Sequence, residues 1–496
     1  MNLRVRVISI VAVIAAIAGP LATATPCSAA ARAILTAGPR RVAYFVDHWF
    51  ASRPHEATHV GVHGTDGLLP PVTEASLDSE RAWVAQFRHA EAMAGSGTVE
   101  GPAPLPESQL LSARLERMHL DLDELRSFER DPNAYLPLVD GSIRDLAFGS
   151  TGSVITRLRA AARRLAQVPE VLRAAQVNLK RPSRLATETA IETLGRTLDL
   201  YRNDLPHAAR DVRDEATLAN LSEADTLASR AVEGFIEWLR VDMLPNTEAF
   251  VPLGADRYAS VLVTETIRPV ALNAPVDLPA VEATIERGIS RACARRDSLR
   301  DLVLSAAGGD AAEAARRIGA ADRAAAVLVA RALRRPPGNA AHWRTRAGLG
   351  PASAIHAWAE YVAARTLDAD TTAPARGLAA QSRDLALWAR LAAEIEIHTR
   401  GASVDDAAAM IQTRCGIDST TARALARRAA IEPGSGAAAL HLNGYRSLRD
   451  EARTRLGKRF DAGRFEATMA AEAPSPPEIV GGSVLRRIGI MRPVFQ

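Results

Sequence analysis

The segment VITRLRAAARRLAQVPEVL (residues 154–172) decides the fold class. Its apolar residues recur every three or four positions, and its arginines fall mostly between them. This spacing predicts an amphipathic α-helix, because residues three and four apart lie on one helix face. Only 251–263 shows an alternation that also fits a strand. The helical period recurs in segments 108–128, 185–203, 223–243, 280–304, 311–334, 353–366, 377–399, 403–414, 418–430 and 444–456.

The composition agrees with an all-α protein. The chain has 496 residues, of which 47% are hydrophobic and only 4% aromatic, whereas β-sandwiches and barrels are rich in aromatic and β-branched residues. It carries 61 Lys and Arg against 57 Asp and Glu, a net charge of +4. No basic run is interleaved with aromatic residues, so we expect no nucleic-acid partner. The sequence predicts a large, mainly helical body with little or no β-structure.

The first residues have the pattern of a secretory signal peptide. Arg4 and Arg6 precede an apolar run from Val7 to Ala18, and small residues follow it. A basic start, a short apolar run and a small-residue cleavage site are typical of such signals. We therefore predict a signal peptide over residues 1–29 and export to the periplasm or the medium. No later run approaches ~18 apolar residues, so the mature chain is expected to have no transmembrane helix.

The three cysteines give limited information. Pro26 precedes Cys27, where a lipoprotein signal has a small residue, so the sequence does not indicate lipid attachment there. Cys293 and Cys415 belong to the mature chain and fit either one disulfide or two buried thiols. The absence of a C-x-x-C pair excludes a structural zinc site rich in cysteine.

A series of short motifs occurs in order along the chain. The motifs are HEATHVGVHGTDGLLP (55–70), RDPNAYLPL (130–138), the segment 157–192, ASRAVEGFIEWLRVDMLP (228–245), PLGADRYASVL (252–262), Trp358, Ala359 and Tyr361, EIEIHTRGASVDDAA (394–408) and GYRSLRDEARTRLGKRFDAGRFEATM (444–469). Together they resemble the bacterial domain of unknown function 885 family, over most of residues 45–480.

The resemblance implies a fold and a chemistry. The family looks like helical zinc metallopeptidases of the gluzincin type, with a large two-lobed body around a cleft. Its H-E-x-x-P-G-H motif supplies two histidine ligands and a glutamate base, and the glutamate of its E-G-W-A-x-Y motif supplies the third ligand. Three protein ligands leave a fourth zinc position for the water that attacks the substrate carbonyl.

The chain departs from the family at these positions. The counterpart of H-E-x-x-P-G-H is Leu333–Asn339, where Leu333 and Asn339 replace the histidines and Arg334 replaces the glutamate. His356 stands where the third carboxylate ligand is expected. Leucine and asparagine are not zinc ligands, and arginine repels a dication. The resemblance therefore implies a member without the zinc centre, with no cofactor and no catalytic residue expected.

A literal H-E-x-x-H occurs elsewhere, at His55-Glu56-Ala57-Thr58-His59. Histidines four apart share a helix face, so His55 and His59 could bind zinc with Glu56 as the base. Gly61 and Gly64 weaken a long helix here, and no third ligand stands out downstream. We keep this metal site as the alternative and expect solvated or core histidines.

Five residues are candidates for what remains of the cleft: His356, Trp358, Tyr361, His398 and Arg449. Trp358 and Tyr361 are three positions apart and share a helix face. The other interpretation of these five is ordinary helix packing and surface ion pairs.

The sequence thus predicts a non-catalytic, exported, metallopeptidase-like protein that binds a peptide or peptide-like small molecule. One alternative is an active hydrolase, which uses zinc at His55 and His59 or metal-free chemistry around His356 and His398. Another is a biosynthetic enzyme that acts on a peptide-like intermediate. The predicted divisions are a signal peptide (1–29), a linker (30–44), a helical domain (45–480) with lobes of roughly 45–330 and 340–472, and a tail (481–496).

Overall fold

Helices make up nearly all of the regular structure. The computed structural model describes residues 38–95, 106–149, 151–266, 276–334, 340–368 and 374–490. The signal peptide predicted over 1–29 lies outside these residues. Within them, the one β-feature is an isolated bridge between Ser183 and Glu248, so the all-α prediction is confirmed.

The described α-helices are labelled in chain order. They are α1 (Gly38–Ser52), α2 (Pro54–His59), α3 (Glu74–Gly95), α4 (Pro106–His119), α5 (Ser127–Arg130), α6 (Ser142–Ala147), α7 (Val154–Leu165), α8 (Val168–Asn178), α9 (Arg184–Asp199), α10 (Leu205–Ala209), α11 (Glu215–Trp238), α12 (Ala255–Thr266), α13 (Leu278–Ala306), α14 (Ala311–Arg334), α15 (Ala340–Leu349), α16 (Ala352–Asp368), α17 (Pro374–Arg400), α18 (Val404–Cys415), α19 (Ser419–Ile431), α20 (Ala438–Leu456), α21 (Ala462–Glu472) and α22 (Pro477–Arg487). Short π-helical turns occur at Leu120–Glu124, Pro137–Gly141, Leu200–Asp204 and Leu239–Met243.

The segment predicted as one helix over 154–172 forms two. Helix α7 ends at Leu165, and α8 begins at Val168 with Pro169 in its first turn. Proline has no N–H to donate inside a helix but fits a first turn, so it divides the amphipathic pattern. The predicted apolar face is otherwise kept, because Leu158 and Leu165 are fully buried.

Three further boundaries differ from the sequence prediction. The ambiguous segment 251–263 contains the start of a helix, α12. The interval 335–351 holds three prolines and three glycines, a composition that predicts a loop, but it contains α15, whose Trp343 is buried. Helix α22 continues into the predicted tail, where Val484 is fully buried. In the last two segments, apolar residues that pack against the core override the turn-forming residues beside them.

Two large clusters of buried apolar side chains form the core. One joins α7, α8, α9 and α11 and includes Leu158, Tyr201 and Phe235. The other draws residues from α1 to α22, including Phe45 and Trp388. The lobe boundaries near residues 330 and 340 stay a prediction. None of the described helices is long and apolar enough to span a membrane.

Helix α17 runs through the centre of the larger cluster. All its residues from Leu387 to Ile395 are buried, which means that it is covered on every face. Helix α13 lies against it with Gly288 at the point of closest approach. A Cβ at Gly288 would lie 2.4 Å from the Trp388 ring, so only glycine fits there.

A carboxylate is buried within this central helix. Glu394 is fully buried and accepts four hydrogen bonds. Its Oε2 accepts from the Tyr258 hydroxyl (3.0 Å) and the Gly434 N–H (2.8 Å). Its Oε1 accepts from the Ser435 hydroxyl (3.0 Å) and the Gly436 N–H (2.7 Å). Glu394 therefore fixes the loop before α20 to the central helix.

We expect Glu394→Gln to destabilise the protein by about 3 kcal/mol. Each carboxylate oxygen faces a backbone N–H, so a glutamine NH₂ group meets a donor in either orientation. Urea unfolding measures the change. The matched control is Glu396→Gln, a partly exposed position on the same helix, for which we expect a change below about 0.5 kcal/mol. Equal losses of unfolding free energy in the two variants would contradict the role of Glu394 in holding the loop before α20.

Candidate functional site

His356 belongs to a polar cluster that joins three helices. Its Nε2 lies 3.1 Å from Oε1 of Glu360, one turn further along α16. From α17, Arg383 donates its Nε to Oε2 of Glu360 (2.9 Å) and its Nη2 to Oε1. Asp322 on α14 acts on Arg383 electrostatically. We call these four residues the His356 cluster.

The residues of the His356 cluster stabilise one another's charged forms. Glu360 is only 6% exposed. Burial opposes its ionisation, but hydrogen bonds from His356 and Arg383 hold the pKa of Glu360 below its usual value. The bond to Glu360 in turn raises the pKa of Arg383. Since 42% of the His356 side chain is exposed, the cluster opens to solvent at the imidazole.

Trp358 and Tyr361 face another part of the core. Both are buried. The centroid of the Trp358 ring lies 5.7 Å from that of the Tyr361 ring and 5.7 Å from that of the Tyr445 ring on α20. The Tyr361 hydroxyl donates to Oε1 of Glu466 (3.0 Å), and Arg449 donates its Nε to the same oxygen (3.2 Å). Among the five cleft candidates, the structure thus brings Trp358, Tyr361 and Arg449 together, as helix packing with an ion pair at its edge.

His398 is a buried residue near the other end of α17. It is 1% exposed and stacks on Tyr258, with ring centroids 5.5 Å apart. Its Nε2 donates to the Ala429 carbonyl (3.0 Å), and its Nδ1 accepts the Leu253 N–H (3.4 Å). It follows Arg383 by fifteen residues, or about 22 Å of helix, so it does not belong to the His356 cluster.

The H-E-x-x-H residues lie on α2, which has only six residues. His55 is largely buried, and burial together with the Arg53 charge lowers its pKa to about 3. Glu56 is partly exposed and lies 3.7 Å from Nε of Arg53. Two of the three motif residues are therefore close to the same guanidinium, which is unfavourable for a second cation.

His59 lies near a small cavity beside α2. Its Nδ1 is 2.8 Å from Oδ2 of Asp145, and Nδ1 of His63 is 3.0 Å from Oδ2 of Asp66. The cavity has a volume of about 10 Å³, which is room for about one water molecule and too small for a small-molecule ligand. In the part of the chain that is described, no three His, Cys, Asp or Glu side chains are grouped so that they could hold a metal ion. The side chains of Leu333–Asn339 lie outside that part.

Sequence reasoning missed Glu360 and Arg383. The spacing of four between His356 and Glu360 is a signal that could have identified Glu360, because such pairs meet on a helix surface. Arg383 had no local signal, because it lies on the next helix along the chain and meets Glu360 only through packing.

The stability of the protein is expected to depend on His398 in acid. Burial lowers the pKa of His398 from 6.5 to about 4. The unfolded chain therefore takes up this proton first as the pH falls, and stability present above pH 6.5 is lost towards pH 4. We expect the stability difference between wild type and His398→Gln to shrink by about 3 kcal/mol between pH 7 and pH 4. Urea unfolding at several pH values measures it, and a constant difference would contradict a neutral buried imidazole.

Comparisons with known proteins agree with the fold and name no activity. The model of a family described as "Bacterial protein of unknown function (DUF885)" matches residues 54–274. No curated protein matches the chain. A "putative lipoprotein of unknown function" from Shewanella oneidensis has a similar solved structure, with 15% identity, a TM-score of 0.57, and coverage of 90% of this chain and 99% of that one. A "putative lipoprotein" from Colwellia psychrerythraea is 13% identical, with a TM-score of 0.59 and coverage of 91% of this chain and 99% of that one. At these identities the likeness shows a shared fold, and residues 54–274 are similar to the DUF885 family.

Proposed function

We propose that this chain is an exported, metallopeptidase-like protein without a zinc centre, which binds peptides or peptide-like small molecules as a binding or accessory protein. The observation that carries the proposal is the contact of Arg383 with Glu360 beside His356. Export is supported by the N-terminal segment and by the lipoprotein descriptions of the two solved relatives. The Pro26-Cys27 sequence does not support lipid attachment of this chain.

The His356 cluster is a poor zinc site. His356 takes the place of a carboxylate ligand, and the nearest carboxylate, Glu360, is already neutralised by Arg383. A guanidinium about 4 Å from a cation raises its energy by about 4 kcal/mol per unit charge in a partly exposed site. A dication would have to displace Arg383 from Glu360 before it could bind.

The same residues suit the ends of a peptide. Two nitrogens of Arg383 bind Glu360, and among the described residues Nη1 has no partner, so it can donate to a ligand carboxylate. Glu360 can accept from a ligand ammonium group. About a third of the Arg383 side chain is exposed but only 7% of the Glu360 side chain, so a small ligand reaches Arg383 directly and Glu360 only at its edge.

The first prediction from this proposed function concerns metal content. We expect the purified mature protein, with its tag removed and after dialysis against a weak chelator, to hold no stoichiometric metal. Elemental analysis of wild type and His59→Ala tests this. One zinc per chain, lost in His59→Ala, would overturn the proposal. It would favour the hydrolase alternative at His55 and His59, with Glu56→Gln as the next variant.

The second prediction concerns the ligand. We expect a panel of tripeptides with free termini to contain members that bind the wild type in isothermal titration calorimetry. Amidation of the carboxylate, or Arg383→Gln, should weaken binding at least about tenfold, because each removes one partner of a charge-assisted hydrogen bond.

The matched control is Arg400→Gln, an exposed position on the same helix, which should leave binding unchanged. Binding that Arg383→Gln does not alter, or a panel with no binding member, would contradict a peptide site at the His356 cluster.

A further inference from the structure

Two thiols from distant parts of the sequence meet between α13 and α18. Cys293 and Cys415 are both free and are 122 positions apart. The Cys293 Sγ lies 3.8 Å from the carbonyl oxygen of Cys415 and 4.0 Å from that of Arg414. The two thiols are close enough for the charge of one to affect the other.

The surroundings of Cys415 hold it close to Cys293. It is the last residue of α18, and Gly416 follows in the left-handed conformation with a φ of 56°. Its carbonyl accepts a hydrogen bond from Arg296, one turn beyond Cys293 on α13. This contact holds the end of α18 against α13 and keeps the two cysteines side by side.

We propose that Cys293 and Cys415 form a disulfide in the exported protein, which links α13 to α18. The inference rests on the proposed export, because disulfides persist in oxidising compartments. Two thiols give up two protons and two electrons to a disulfide donor such as oxidised glutathione or a dithiol oxidase. One S–S bond forms in the chain, and the donor is released as two thiols.

The two cysteines have different parts in the reaction. Cys293 is only partly buried, so it reaches the external disulfide first and forms a mixed disulfide. Cys415 is buried and then displaces the donor thiol to complete the bridge. Burial raises the pKa of both thiols, that of Cys415 to about 11, and the nearby Arg296 charge partly offsets the effect. Spontaneous oxidation at neutral pH is therefore expected to be slow compared with oxidation at higher pH.

The bridge would add a covalent link between α18 and α13, next to the contacts that Arg296 and Arg414 already make between these helices. It closes a long loop and so removes conformations from the unfolded chain, which raises stability. The Arg414 side chain beside it contacts Glu286 and lines a surface cavity of about 60 Å³ between α13, α17 and α18. Oxidation therefore fixes one wall of this cavity.

The test uses the full chain expressed with its signal and isolated from the periplasm without reductant. Alkylation with iodoacetamide, followed by intact mass and peptide mapping, counts the thiols. We expect no alkylation at Cys293 and Cys415 before reduction, and alkylation of both after dithiothreitol. A linked peptide pair should weigh two hydrogen atoms less than the separate peptides. The melting temperature should fall on reduction in wild type and stay unchanged in Cys293→Ala and Cys415→Ala.

The outcomes separate the bridge from the proposed function. Two free thiols, both after isolation and after incubation with oxidised glutathione, would overturn the bridge and leave the metal and peptide predictions intact. A bridge that forms with glutathione but is absent from the protein isolated from the periplasm would support the geometry and contradict the bridge in the exported protein.

Discussion

The structure depends on the burial of the middle of helix α17, Leu387–Ile395, on all its faces. A helix in this position has no solvent-facing side for its polar residues, so each buried charge must find a partner on a neighbouring element. Arg390 donates to Glu432, Asp384 accepts from Arg446, and Glu394 accepts from the loop before α20. These contacts specify which elements pack against α17, because a shift of register would leave a charge buried without compensation.

The same constraint explains where a functional group can lie on α17. Buried polar residues of the helix use their hydrogen-bonding capacity inside the fold, as His398 does near its C-terminal end with the Ala429 carbonyl and the Leu253 N–H. Arg383 lies where the helix approaches the surface, and it binds Glu360 while one nitrogen is left over. A candidate binding group on this helix therefore differs from a structural one in two ways: its side chain is exposed to solvent, and one of its hydrogen-bond donors is unused.

The sequence predicted the fold well because the helical period is a local signal. It failed where a tertiary contact or a single residue overrides that signal, as at Pro169 within 154–172 and at the buried Trp343 in a predicted loop. The site was predicted less well. His356 and Tyr361 are five residues apart, which places them about 140° apart around α16, so they cannot face one cleft. The meeting of Arg383 with Glu360 comes from packing and has no sequence pattern.

The burial of Glu360 also limits which ligands can use the cluster. A simple anion that drew Arg383 away would leave a carboxylate that is 6% exposed without its main partner, at a free-energy penalty of several kcal/mol. A ligand carboxylate that binds the remaining Nη1 leaves the Arg383–Glu360 pair intact and so avoids this penalty, and a peptide can add its ammonium group at the exposed edge of Glu360. A ligand of the proposed kind must also be small, since His356 marks the exposed side of the cluster and the opposite face of α16 is closed by the Trp358 and Tyr361 packing. Under the proposed function, the pair therefore favours short peptides with both termini free over amines or long chains.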